Sequence, residues 1–133
     1  MSMTAEAETI RQMAEDHCAA WSAGDAKATA GLFAKDGTIS VNGAAPRRGH
    51  AEIADAARAL MKDFPGVQVR VDETRHSARR AVMIWTLTGR HAETGNPVVL
   101  PGWHEWDLDD DMKVRRCLGF YDAEDLQRQI AGN

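Results

Sequence analysis

Cysteine is scarce in this chain: there are two, Cys18 and Cys117, far apart in the 133 residues. With no CxxC pair and no Cys/His ligand spacing, neither a disulfide framework nor a zinc site organises the fold. Two reduced thiols in a cytoplasmic protein are the expectation. Long apolar runs are also missing, and none approaches the roughly 20 residues that a membrane-spanning helix needs. The N-terminus lacks the basic stretch and apolar core of a secretory signal, so neither export nor a membrane is expected. Positive charge is not in excess either: 16 Lys and Arg stand against 20 Asp and Glu, a net charge of -4. That balance excludes a general nucleic-acid surface, which needs a basic face to displace counterions from phosphate. The pairs Arg47-Arg48, Arg79-Arg80 and Arg115-Arg116 are short, scattered, and read as solvated turns or strand ends.

What is present suits one globular domain over residues 1–133, with 44% hydrophobic residues to build a core. A first helix is predicted from Thr4 to Ser22, because Ile10, Met13, Ala14, His17, Ala20 and Trp21 recur at helical spacing. Gly24 ends it, and Asp25 caps a short second helix that carries Ala28, Leu32 and Phe33. Asp36-Gly37 reads as a turn into a strand over Thr38–Val41, followed by a loop over Asn42–Gly49. A third helix over His50–Asp63 buries Ile53, Ala57, Leu60, Met61 and Phe64, and Pro65-Gly66 stops it. Four strands then follow, over Val67–Thr74, Ala81–Arg90, Val98–Leu108 and Lys113–Tyr121. Asp109-Asp110-Asp111 forms the last hairpin tip, a solvated turn without the further oxygen ligands of a calcium loop. Asp122 caps a final short helix anchored by Leu126 and Ile130. Helices first and hairpin-linked strands later give an α+β class, with helices on one face of an antiparallel sheet. Folding back about the acidic turn sets Gly102 near Gly119 and His104 near Cys117.

Periodicity divides each strand into two faces without saying which is concave. Five short signatures break the tie by their order: Trp21-Ser22-Ala23-Gly24-Asp25, Leu32-Phe33-Ala34-Lys35-Asp36-Gly37, Arg48-Gly49-His50-Ala51-Glu52-Ile53, Trp85-Thr86-Leu87-Thr88-Gly89-Arg90-His91 and Phe120-Tyr121-Asp122. In this order the chain resembles the nuclear transport factor 2-like superfamily, in its SnoaL-like and ketosteroid isomerase-like branch. The resemblance implies a cystatin-like cone, a curved antiparallel sheet wrapped around N-terminal helices with one deep pocket. It implies a pocket lined by Met83, Trp85, Leu87, Leu100, His104, Cys117 and Tyr121, with Trp21, Phe33, Val41 and Leu60 completing the walls. It also implies a homodimer through the outer sheet face.

Ketosteroid isomerases use a carboxylate base and two acidic hydrogen-bond donors. Those positions fall here on Val41, His17 and His104, so the chain departs from the isomerase at all three. Two imidazoles in an apolar pocket can serve as acid and base near neutral pH, or hold an enolate oxygen by hydrogen bonding. The alternative is a histidine pair satisfied by each other, by Tyr121 or by water. Two imidazoles are short of the three or four ligands zinc needs, so no metal is expected and no cofactor is implied. Candidate catalytic residues are therefore His17, His104 and Tyr121. The expected partner is a small, largely apolar carbonyl compound. Two readings stay open: a cofactor-independent enzyme of isomerase, cyclase or dehydratase type, and a non-catalytic binding or accessory dimer.

Overall fold

Three helix starts in this chain are set by short polar side chains. In the computed structural model, which describes residues 4–133, Thr4 Oγ1 accepts the Ala7 N–H at 3.1 Å and opens α1 (Ala5–Ser22). The first three residues of the expected 1–133 domain lie outside the described residues. Asp25 Oδ1 accepts the Ala28 N–H at 2.9 Å and opens α2 (Ala26–Gly31). After α3 (Gly49–Asp63), Asp122 Oδ1 accepts the Asp125 N–H at 3.0 Å and opens α4 (Ala123–Ala131). Leu32 and Phe33, expected on the second helix, lie beyond it: Leu32 is its C-cap and Phe33 already belongs to the sheet. Among the described residues no helix is long and apolar enough to cross a membrane.

Six strands form one curved, unclosed sheet: β1 (Phe33–Val41), β2 (Arg47–Arg48), β3 (Gln68–Ser77), β4 (Arg80–Arg90), β5 (Pro97–Leu108) and β6 (Val114–Tyr121). Their order across the sheet is β2-β1-β6-β5-β4-β3. All neighbours are antiparallel except β1 and β6, which run parallel. The α+β class and the cone of the sequence reading are what the structure has. The helices cover the concave face: α1 packs on β3, α3 on β1, and α2 on α3. Beneath them lies the core, with Ile10, Ala14 and Cys18 meeting Met83, Leu87, Trp106 and Val114.

Five details differ from the sequence reading. The first strand begins at Phe33 rather than Thr38, because the chain pairs with Val114 as soon as it leaves α2. Asp36-Gly37 is thus not a turn before the strand but lies where the β1–β6 ladder slips, between Phe33 and Thr38. The expected loop over Asn42–Gly49 contains β2, which pairs Arg47 with Ile39 and Arg48 with Thr38. The strand expected over Val67–Thr74 continues to Ser77, since its hairpin with β4 stays paired down to Ser77 and Arg80. Finally, the β5–β6 register differs by two residues. Gly102 faces Tyr121 and His104 faces Gly119, while Cys117 faces Trp106. The cause is the hairpin end, where Asp109 Oδ1 accepts both the Asp111 and Lys113 N–H groups at 2.9 Å and the ladder slips beyond Asp107. An even shift changes neighbours but keeps every side chain on its face, so the concave set survives the correction.

Beyond Gly102, the N-terminal part of β5 has outrun β6 and has no strand on that side. The side chain of Gln129 on α4 takes that place, accepting the Val99 N–H at 2.7 Å and donating to the Val99 carbonyl at 2.9 Å.

Candidate functional site

The apolar stripe of α1 turns His17 toward the sheet, where it is only 4% exposed. One helical turn on, Trp21 Nε1–H donates to His17 Nε2 at 3.3 Å. A neutral imidazole that accepts at Nε2 carries its proton on Nδ1, and His17 Nδ1 is buried with no partner. Across from it, β5 presents His104, with the two rings 6.1 Å apart. His104 Nδ1 is also buried and unpartnered, while the residue as a whole is half-buried.

Two glycines determine how the rings on the sheet lie. His104 pairs across the strands with Gly119, and a Cβ on Gly119 would stand 3.0 Å from His104 Cδ2 and 3.1 Å from Nε2. Trp85 pairs with Gly102, and a Cβ there would stand 2.5 Å from the Trp85 ring and 2.7 Å from the Phe120 carbonyl oxygen. Each ring therefore lies down over a backbone that has no side chain of its own, and neither glycine can accept one without moving its neighbour. The Trp85 and His104 rings meet edge to face at 5.7 Å.

Above these rings is a cavity of about 260 Å³. His17 and Trp21 line it from α1, Phe33, Ile39 and Val41 from β1, and Leu60 from α3. Met83, Trp85, Leu87, His104 and Tyr121 line it from the sheet. Leu100 and Cys117, expected on the wall, do not reach it: both are buried in the core, at 4% and 0% exposure. Cys117 stands beside Trp106 instead of His104, buried in the core. Its thiol is pushed up by burial, and the Cys18 thiol to about 12, so neither is a nucleophile at neutral pH.

The sequence reading missed several lining residues. Ile39 was available from its two-residue spacing to Val41, and Ile53 and Ala57 were assigned to the buried side of α3 without being placed in the wall. Ala44 and Ala45 on the β1–β2 connection, and Arg47 at the start of β2, carried no periodic signal at all.

Electrostatically the floor is neutral. Burial lowers the His17 pKa to about 3, with the nearby His104 adding to the effect, and burial lowers His104 to about 4. Both imidazoles are uncharged at pH 7. Among the described residues no Asp or Glu lines the cavity, and no three His, Cys, Asp or Glu side chains gather to hold a metal ion. Asp122, next to Tyr121, is spent on the α4 cap. What the arrangement can do is accept a flat apolar body and offer it a neutral imidazole edge.

The family model for the SnoaL-like domain matches residues 14–116. No curated protein matches the chain by sequence. Among solved structures, a hypothetical protein of ketosteroid isomerase-like fold from Catenulispora acidiphila, in complex with trimethylamine, superposes with a TM-score of 0.82. It is 18% identical, over 97% of this chain and 95% of that one. A candidate SnoaL-like polyketide cyclase from Jannaschia sp. CCS1 has a TM-score of 0.82 at 16% identity, over 100% and 99% of the two chains. A candidate hydroxylase, AclR from Streptomyces galilaeus, has a TM-score of 0.78 at 18% identity, over 98% and 99%. At these identities the likeness is one of fold.

Proposed function

This chain belongs to the family of SnoaL-like domains, within the nuclear transport factor 2-like superfamily, and from that premise we propose that it binds a small, largely apolar carbonyl compound in its cone. The observation that carries the reading is the cavity itself. It is walled by Trp, Phe, Met and Leu side chains and has His104, a half-buried neutral imidazole, at its floor. A neutral imidazole N–H donates to a carbonyl oxygen, polarises it, and makes the neighbouring C–H more acidic. His104 takes that role. His17, bound to Trp21, holds the floor in place, and Tyr121 orients the ligand from the other strand.

Polarising a carbonyl is the step shared by isomerases, cyclases and dehydratases that work without a cofactor. The second reading, a non-catalytic binding protein, draws support from Val41, which stands where the isomerases carry their carboxylate base. One experiment separates the two. Flat aryl ketones are incubated with the protein in deuterated buffer, and binding and exchange of the proton α to the carbonyl are followed by NMR. An enzyme accelerates exchange, and His104→Ala abolishes the acceleration by about a hundredfold, the usual scale of one lost donor or acid/base group. Binding without exchange makes the protein a carrier or accessory. Absence of binding across the panel overturns the carbonyl reading.

We also place a second copy of the chain against the outer sheet face. Ile84, Trp103 and Phe120 form a cross-strand row there, with Ile84 36% and Trp103 41% exposed and the Trp103 and Phe120 rings stacked at 5.1 Å. The buried, unpaired cysteines suit a reducing compartment, and we propose the cytoplasm as the location.

A further inference from the structure

The cavity has a polarity along its length. Its floor is the neutral pair His17 and His104, and its middle is apolar. At its rim is one charged side chain, Arg47 of β2, which is exposed and makes no ion pair or side-chain hydrogen bond among the described residues. Its chain neighbour Arg48 is engaged differently, donating to the Asp36 carbonyl at 3.2 Å. Most other arginines are engaged too: Arg11, Arg58, Arg70 and Arg128, for example, each have a carboxylate partner. Arg47 has none, and no acidic residue lines the cavity to supply one.

Its position is fixed by more than a flexible loop. Arg47 pairs with Ile39 on β1, which itself lines the cavity. The turn that delivers it, with Asn42 and Gly43 at φ of 53° and 76°, is tied to the last strand, where Asn42 Oδ1 accepts the Tyr121 N–H at 3.0 Å. The Asn42 N–H in turn donates to the Gly119 carbonyl at 2.8 Å. The guanidinium is therefore carried by backbone anchored to the same strand that shapes the floor.

We infer that the ligand is an apolar monoanion: a carbonyl compound whose ketone end reaches His104 while a carboxylate at the opposite end meets Arg47 at the rim. This rests on the carbonyl reading above and adds an orientation to it. A carboxylate at the floor would have to be buried against neutral groups without a counter-charge, which is strongly unfavourable. At the rim it keeps water and gains a guanidinium fork. The net charge of -4 makes this local cation the more selective, since the rest of the molecule repels an anion.

The test uses a matched pair, 6-acetyl-2-naphthoic acid and its methyl ester, titrated by calorimetry into the wild type and Arg47→Gln. The wild type is expected to bind the acid about three- to fivefold more tightly than the ester at low salt, the scale of a rim ion pair. The gap should close at an ionic strength of about 0.5 M. In Arg47→Gln the gap vanishes, and an unchanged far-ultraviolet circular dichroism spectrum and thermal midpoint report that the variant is folded. Equal binding of acid and ester by the wild type overturns the inference and leaves the carbonyl reading standing. So does a preference for the acid that survives in Arg47→Gln. Failure of both ligands to bind overturns both.

Discussion

Protonating His17 or His104 would place a cation in the apolar floor of the cavity, next to indole rings and another imidazole. In the native state these residues resist protonation down to about pH 3 and about pH 4, whereas in the unfolded chain they take up protons near pH 6.5. Between those limits the unfolded state binds protons that the native state refuses, so stability is full above about pH 6.5 and falls as the solution is acidified. From about pH 7 to about pH 5 each histidine is expected to remove about 2 kcal/mol of unfolding free energy. Urea unfolding at the two pH values, on the wild type and His17→Gln, checks this: the variant should lose about 2 kcal/mol less. Parallel losses would mean that native His17 is already open to protons. At this scale much of the site was legible from the chain. His17 and Trp21 are four apart on an apolar helical stripe, and Met83, Trp85 and Leu87 alternate on one strand face. Cys117 was misplaced because the neighbour across a hairpin depends on where the turn bends, and Asp109 closes that turn by bonding two backbone groups at once. Arg47 was read only as half of a solvated basic pair with Arg48, since two adjacent arginines have no period to tell which one faces a cavity.

Elements succeed one another here through specific joints, and the docking of α4 is the clearest. Gln129 does for the upper part of β5 what a seventh strand would do, satisfying both backbone groups of Val99 with one amide. Beside it, Asn96 Nδ2 donates to the Ile130 carbonyl at 2.8 Å, holding the helix end to the start of the strand. Replacing Gln129 by Ala should cost about 1 kcal/mol, kept modest because Val99 is 58% exposed and water can take over. Amide exchange offers the local readout: the Val99 N–H should exchange about tenfold faster in the variant, while amides in the middle of β4 stay protected. Uniform acceleration would mean instead that α4 stabilises the molecule as a whole. The caps of α2 and α4 could be read in advance, because Asp25 and Asp122 each precede a helical pattern by one residue, whereas Thr4 was counted inside the first helix it caps. The amide of Gln129 could not, since its partner is a strand 30 residues earlier.

For the molecule as a whole, the outer sheet face poses a solubility problem that a second copy would solve. Beside the Ile84, Trp103 and Phe120 row, Asp107 bridges Arg80 at 3.0 Å and Arg116 at 3.8 Å, so the face carries an apolar centre and a charge-balanced margin. Sedimentation velocity should show a dimer for the wild type and a monomer for Trp103→Glu, with helical and sheet signals unchanged. A wild-type monomer at all concentrations would end the proposal. The α+β class was readable from the order of helical and alternating patterns, but the sheet order was not. Nothing local marks β1 as the parallel neighbour of β6, because that pairing joins the two most distant strands of the chain. It has a consequence for how the protein is made. Synthesis delivers β1 first and β6 last, and β6 is the piece that fits between β1 and β5. Until it emerges, the sheet is two separate fragments with open edges, and the cavity has no third side. The pocket is thus among the last things a nascent chain acquires. A ligand cannot guide the early steps of its folding, and a chain cut before Val114 carries nearly every wall residue with nothing to enclose.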